Sequence, residues 1–290
     1  MSFSHADFLR EPNKEQYDAI IGNPPYKSQR QSLYLRENKT FLKEEFQSIG
    51  VHNMYSLFIY KGIQLLKEGG ILSMIVQDSF LSNVYYKRFR KYLLKNTEIK
   101  EIILAPRRLF HKGKADVRTA ILTIVKKDPS DSEHSMKLID RLMDQNYSEP
   151  ENERVQYLPQ KTFESIPDHN FAINIPMEIL SLFKTPYTAL GDIVKIGTGI
   201  STGNDRYFLR TANEVANKEG WIPFYKNGGA KDAWYYSPKY YIHEDWPLQK
   251  QLHPNFTTRN PLYFYHEGIT CSSMGVEFSA AYLPKGSLFG

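Results

Sequence analysis

Hydrophobic positions in the first 127 residues follow two alternating rhythms. Tyr17-Asp18-Ala19-Ile20-Ile21-Gly22 is a short apolar run that stops at Asn23-Pro24-Pro25, where two prolines remove the donors a sheet ladder needs. It predicts a buried strand that ends in a stiff loop. After a polar, weakly patterned stretch over 27–51, Asn53 can cap a helix whose apolar face is Met54, Leu57, Phe58, Leu65 and Leu66, closed by Gly69-Gly70. The continuous apolar run 71–76 predicts a second buried strand. A helix through Tyr85, Phe89, Tyr92 and Leu93, exposing Lys87, Arg88, Arg90, Lys91 and Lys95, leads to a strand over 99–104. Past a basic loop lies a strand over 117–125, close enough to pair antiparallel with the one before. This alternation is that of an α/β chain with an open sheet and right-handed crossovers.

From 126 to about 153 the composition shifts to Asp, Ser, Glu, Asn and Pro, with one short amphipathic segment at 136–143. The expected organisation is a first domain over 1–127, a linker over 128–153 and a second domain over 154–290. The last part is rich in Tyr, carries Trp221, Trp234 and Trp246, and is punctuated by Gly and Pro, so it predicts an α+β or mostly β domain of short strands and long loops. The tryptophans are expected to pack in a core.

Composition narrows the picture further. The chain has 290 residues, 41% hydrophobic and 24% charged, which excludes disordered, collagen-like and fibrous classes. The sequence has no apolar window of ~18 residues and no basic-then-apolar start, so no membrane segment and a cytoplasmic address are expected. A lone Cys271 excludes an internal disulfide, and the eight histidines show no ligand spacing, so no metal is expected. The net charge of +5 conceals an asymmetry: residues 1–127 carry 22 Lys/Arg against 12 Asp/Glu, and 128–290 carry 15 against 20. The basic half points to a polyanion such as nucleic acid.

Asn23-Pro24-Pro25-Tyr26, directly after a strand, carries the most chemistry. An Asn side-chain oxygen and a neighbouring backbone carbonyl, stiffened by proline, make two acceptors for one –NH2 group. An aromatic amine is a poor nucleophile because its lone pair is delocalised, and accepting both hydrogens favours the tetrahedral form as positive charge develops. Tyr26 adds a face on which a planar heterocycle can stack, for about 1–3 kcal/mol.

With its flanks, Tyr17-Asp18-Ala19-Ile20-Ile21-Gly22-Asn23-Pro24-Pro25-Tyr26 resembles motif IV of the adenine-N6 DNA methyltransferases of restriction-modification systems, in their gamma motif order. Met54-Tyr55-Ser56-Leu57-Phe58, Leu65-Leu66-Lys67-Glu68-Gly69-Gly70 and Ile75-Val76-Gln77-Asp78-Ser79-Phe80-Leu81 are similar to the motifs that follow, except that Gln77 stands where the family usually has proline. Phe110 with Lys112 and Lys114, before Asp116-Val117-Arg118-Thr119, resembles motif VIII. Leu190-Gly191-Asp192-Ile193, continuing through Gly197-Thr198-Gly199-Ile200-Ser201-Thr202-Gly203-Asn204-Asp205, and the later Arg259-Asn260-Pro261 with Gly268-Ile269-Thr270, look like a target-recognition domain.

The resemblance implies a partial Rossmann-like methyltransferase sheet followed by a DNA-reading domain. It implies S-adenosyl-L-methionine as cofactor, double-stranded DNA as partner, and a target adenine flipped from the duplex. Asn23, Pro24, Pro25 and Tyr26 are then catalytic, and Tyr26 and Phe110 sandwich the base. Arg107, Arg108, Lys112, Lys114, Thr198, Ser201, Thr202 and Asn204 contact DNA, with the glycines of 197–203 allowing close backbone approach to phosphate.

The Gly-rich loop and ribose-binding acid of such enzymes precede motif IV by many tens of residues, whereas 22 residues precede Asn23 here. Only Asn23 is placed beside the cofactor, and an N-terminal methyltransferase half or subunit is expected as a partner. Two alternatives remain: an inactive DNA-binding or specificity fragment, and a protein glutamine methyltransferase, which uses the same grip on –NH2 but ends soon after its sheet. Gly197–Gly203 lacks the spacing and the Gly-Lys-Ser/Thr of a phosphate loop, and no nuclease motif is complete.

Overall fold

The computed structural model describes residues 7–12, 17–106, 109, 117–127, 134–143, 154–215, 217, 219–226, 228, 233–272 and 279–290. The chain divides into two units, Met1–Tyr187 and Thr188–Gly290. A mixed sheet organises the first, from β1 (Tyr17–Gly22), β2 (Leu66–Gln77), β3 (Thr97–Leu104), β4 (Thr119–Lys126), β5 (Ser135–Asp140) and β6 (Val155–Pro159), in the order β1-β2-β4-β3-β5-β6. β1 is parallel to β2 and β3 to β5, while β4 is antiparallel to both its neighbours and β6 is antiparallel to β5. The α/β class and the antiparallel pairing of the third and fourth strands are as expected.

Among the described residues, four α-helices precede β3. α1 (Leu33–Glu37) and α2 (Lys39–Glu45) occupy the weakly patterned stretch. Their apolar residues are few, but Leu35, Leu42 and the following Phe46 and Ile49 are all buried, and Ser32 Oγ accepts from the Leu35 N–H at 3.2 Å to cap α1. α3 (Met54–Leu65) starts at Asn53, whose side chain accepts from the Tyr55 N–H, and packs Tyr55, Leu57, Ile59 and Ile63 into the core shared with Leu72, Met74 and Val76 of β2. It passes into β2 without a break. Gly69-Gly70 therefore do not close the helix: Gly69 has φ +76° inside β2, where the register against β1 shifts, as at a β-bulge.

α4 (Lys87–Asn96) differs from expectation at one residue. Arg90, read as part of a solvated face, is fully buried. Its Nη1 donates to the carbonyls of Phe80 (2.7 Å) and Asn83 (2.8 Å), and its Nε and Nη2 to the carbonyl of Asp168 (3.1 and 2.9 Å). A buried guanidinium is tolerated because its donors are met by backbone acceptors. Lys87 pairs with the Asp168 carboxylate at 2.7 Å.

The domain boundaries also differ. Residues 135–140, inside the expected linker, form β5, and β6 from the expected second domain completes the same sheet. The polar composition around them hides a short strand that buries Met136, Leu138 and Ile139. The division falls instead between Tyr187 and Thr188.

In the second unit, β7 (Ile200–Ser201), β8 (Leu209–Thr211), β9 (Trp221–Tyr225), β10 (Tyr240–His243), β11 (Thr257–Thr258), β12 (Gly268–Cys271), β13 (Ala280–Leu283) and β14 (Leu288–Phe289) form one sheet, β14-β9-β10-β8, and two antiparallel pairs, β7 with β11 and β12 with β13. Ile200, Phe208, Phe224, Ile242, Trp246, Phe256, Phe264 and Leu288 make its core. The short strands match expectation. Before Gly197, Leu190–Ile193 is a single helical turn, and Ile193, Val194 and Ile196 are exposed. Of the tryptophans, Trp246 is buried, Trp221 half-buried, and Trp234 is 87% exposed rather than packed in a core.

Candidate active site

β1 and β2 are parallel, with Gly22 opposite Met74, so both carboxyl ends reach the same rim of the sheet. Thr119 of β4 pairs with Gln77 there, and Leu104 of β3 pairs with Ala120. The carboxyl rim is where open α/β sheets place their ligands. From it the chain leaves β1 as Asn23-Pro24-Pro25-Tyr26 and leaves β2 as Asp78-Ser79-Phe80.

The turn is held from several sides. Pro24 is buried, Asn23 and Pro25 are exposed, and Tyr26 is half-buried against the core. The Tyr26 hydroxyl donates to the Ile75 carbonyl at 2.9 Å, and burial pushes its phenol up to about 12. Tyr26 thus ties the turn to β2, an anchoring task that its reading as a stacking face leaves out. Lys27 offers its carbonyl to the Met54 N–H at 3.0 Å, and Gln29 Nε2 donates to the Val51 carbonyl at 2.6 Å. These bonds lash the turn to the start of α3. Among the described residues the Asn23 side chain has no hydrogen-bond partner, so its amide oxygen remains available as an acceptor.

Asn53, read from sequence only as a helix cap, also donates through Nδ2 to Gln77 Oε1 at 3.2 Å. That bond explains how the rim accommodates Gln77 in place of proline. Asp78 sits next to it. Burial raises its carboxyl above the ordinary range, while Arg118, with Nε 3.7 Å from Asp78 Oδ2, acts in the opposite sense. Behind Asp78, Ser79 Oγ and the Tyr55 hydroxyl lie 3.0 Å apart, and Tyr55 stacks on Tyr86 with ring centroids 5.5 Å apart. Burial raises both phenols. His52 approaches Tyr85 and Tyr86, and burial lowers its imidazole pKa. None of these side chains stood out in the sequence beyond their motif positions, because their proximity depends on how α3, the residues before α4 and those before β4 meet the end of β2.

Arg107, Arg108, Phe110, Lys112 and Lys114 lie outside the described residues. The base of their loop is on the carboxyl rim, closed by the Ala105 N–H donating to the Thr119 carbonyl at 2.9 Å.

In the second unit, Thr198, Ser201 and Asn204 are exposed. Asn204 Oδ1 accepts from the Tyr207 N–H at 3.2 Å and caps a helical turn. Thr202 departs from its expected DNA contact: it is buried, and its hydroxyl donates to Asp205. The glycines have an internal reason too. A Cβ on Gly197 would fall 2.5 Å from Asn260 Nδ2, one on Gly199 2.0 Å from the Phe289 carbonyl oxygen, and one on Gly203 2.7 Å from Asn255. They let the chain pack against itself, a reason within the fold beside the expected close approach to phosphate. Among the described residues no group of three or more His, Cys, Asp or Glu is placed to hold a metal, and no helix is long and apolar enough to cross a membrane.

Comparison with known proteins addresses the same residues. M.AccI, a type II methyltransferase of Acinetobacter calcoaceticus, is 33% identical over 103 residues, covering 34% of this chain and 18% of that protein. BrxX, an adenine-specific methyltransferase of Escherichia coli O9:H4 (strain HS), is 25% identical over 296 residues, covering 95% of this chain. The chain spans 24% of BrxX, so it corresponds to a minor part of either relative. Among solved structures, the methyltransferase subunit of a type I restriction-modification system from Streptococcus thermophilus aligns with a TM-score of 0.42 at 18% identity, over 58% of this chain and 40% of that one. The Eco57I restriction-modification methylase family matches residues 1–110, which include β1, the Asn-Pro-Pro-Tyr turn, α3 and β2. Over residues 1–110 the chain is similar to that family of methylases.

Proposed function

We propose that the chain supplies the target-base side of a site-specific DNA methyltransferase acting on the N6 amino group of adenine, with the base rotated out of the duplex. The observation that carries this reading is the exposed Asn23 on a turn fixed by Tyr26 at the carboxyl ends of two parallel strands. Asn23 Oδ1 and the Pro24 carbonyl accept the two amine hydrogens and stabilise the positive charge that develops on nitrogen. Tyr26 and Phe110 take the two faces of the base. The basic loop with Arg107, Arg108, Lys112 and Lys114 contacts phosphate, and Thr198, Ser201 and Asn204 present the second unit to DNA.

S-adenosyl-L-methionine supplies an electrophilic methyl group on a sulfonium. The residues present fit the acceptor side of that chemistry, and Asn23 is the residue that would meet the cofactor. Under this proposal the cofactor-binding Gly-rich loop belongs to a methyltransferase half or subunit that completes the site. The edge position of β1 favours such a partner, because it leaves Tyr17 and Ile21 exposed at 47% and 88%.

With that half supplied in trans and labelled cofactor, adenine-containing duplexes are expected to be methylated by the wild-type chain and about 100-fold more slowly by Asn23→Ala. Unchanged labelling overturns the role of Asn23. DNA binding without labelling under any of these conditions favours the second reading, a DNA-binding specificity fragment.

A further inference from the structure

A closed ring of hydrogen bonds joins the turn that carries Asn23 to the end of β2. From it we infer that Gln77, acting through Asn53, is a positioning residue that holds this turn for methyl transfer. The tether stands on bonds within the chain, and its catalytic task rests on the reading of Asn23 given above.

Three bonds make the ring. The Tyr26 hydroxyl donates to the Ile75 carbonyl at 2.9 Å, the Met54 N–H to the Lys27 carbonyl at 3.0 Å, and Asn53 Nδ2 to Gln77 Oε1 at 3.2 Å. Tyr26 and Lys27 are neighbours in the chain, as are Asn53 and Met54, and Ile75 and Gln77 lie two residues apart on β2, so the path returns to its start. A bridge between Ser28 and Asn53, and the bond from Gln29 Nε2 to the Val51 carbonyl, make residues 27–29 and 51–54 one piece. Asn53 and Gln77 fasten that piece to the strand.

The polarity of the fastening is fixed. A backbone N–H can only donate, so the Asn53 atom 3.3 Å from the Tyr55 nitrogen is Oδ1. Nδ2 then faces Gln77, which has to present its oxygen. Asn53 is 6% exposed, and a buried donor that loses its acceptor carries the full cost of its desolvation. Without the Gln77 oxygen, Asn53 is drawn toward another acceptor and takes Met54 and Lys27 with it. The proline usual here in the enzymes the chain resembles has no side-chain acceptor to offer.

That displacement reaches Asn23. Gly22, opposite Met74, anchors the near end of the turn, Tyr26 and Lys27 anchor the far end, and the two prolines between them have their φ angles locked. Asn23 Oδ1 and the Pro24 carbonyl have to meet two hydrogens of one amine, and a misplacement of about 1 Å at such a site costs about 100-fold in rate.

Gln77→Met keeps the length of the side chain and loses the acceptor, whereas Gln77→Glu still accepts from Asn53. With the methyltransferase half in trans, Gln77→Met is expected to lower kcat for adenine labelling about tenfold and to leave KM for the duplex within about twofold, while Gln77→Glu recovers most of the loss. Hydrogen exchange read by mass spectrometry follows the tether without any labelling. The Met54 amide is expected to exchange about tenfold faster in Gln77→Met and at the wild-type rate in Gln77→Glu, with peptides from β5 unchanged in both. An unaltered Met54 amide in Gln77→Met, an acceleration shared by β5, an equal loss in Gln77→Glu, or a kcat for Gln77→Met equal to that of a labelling wild type overturns the proposal. A wild-type chain that labels no adenine, beside exchange that follows the acceptor, supports the tether and refutes the methyl-transfer reading instead.

Discussion

Asp78 is a carboxyl in a position that favours its neutral form. Burial raises its pKa, and the Arg118 guanidinium at 3.7 Å counters only part of that. The folded chain therefore holds this proton more tightly than the unfolded chain does. The contribution to stability is greatest below the ordinary carboxylate range near pH 4 and falls as pH rises through the folded-state value. Asp78→Asn is expected to raise the urea midpoint at pH 7 while leaving it unchanged at pH 3; equal shifts at both pH values tie the effect to packing instead. A charged group kept at such a cost on the carboxyl rim fits a working site. At this scale the sequence was legible where chemistry is local. Asn23 and Tyr26 announce themselves through two prolines, whereas Arg90 and Thr202 look like surface residues because the acceptors that bury them, at Asp168 and Asp205, are revealed only by the fold.

Among elements, legibility follows periodicity. α3 and β2 carry enough regularly spaced apolar residues to be read directly, since each buried aliphatic side chain contributes about 1.5–3 kcal/mol and selection of the face follows. β5 offers Met136, Leu138 and Ile139 within polar surroundings, and its strand character depends on β3 being beside it. The glycines before β7 show the same limit. They resemble a ligand loop in one dimension and are packing contacts in three. Gly199→Ala would set a Cβ 2.0 Å from the Phe289 carbonyl of β14, a backbone atom that cannot swing aside. It is expected to cost the second unit about 1–3 kcal/mol, seen as a lower urea midpoint in tryptophan fluorescence. Gly191→Ala, with no atom within 4 Å of its Cβ, is the control expected to leave the midpoint in place.

For the molecule as a whole, the proposed partnership turns on β1. A sheet edge offers a row of unpaired N–H and C=O groups, and proteins usually blunt such edges with charge or bulges. β1 carries its bulge near Tyr17, but toward its carboxyl end it presents Ile21, 88% exposed, two residues before Asn23. An apolar side chain left in water next to the candidate catalytic turn suits a strand that pairs again in an assembly. Ile21→Lys tests this, because a residue so exposed contributes little to the stability of the chain by itself. Its melting curve is expected to match wild type within about 0.5 kcal/mol, while co-elution with the methyltransferase half in size-exclusion chromatography, and with it adenine labelling, is lost. A variant that melts early shows that Ile21 packs within this chain; one that still co-elutes and labels moves the docking face away from β1. Loss of co-elution with an unchanged melt leaves the β1 edge as the seam along which the two halves of the site are joined.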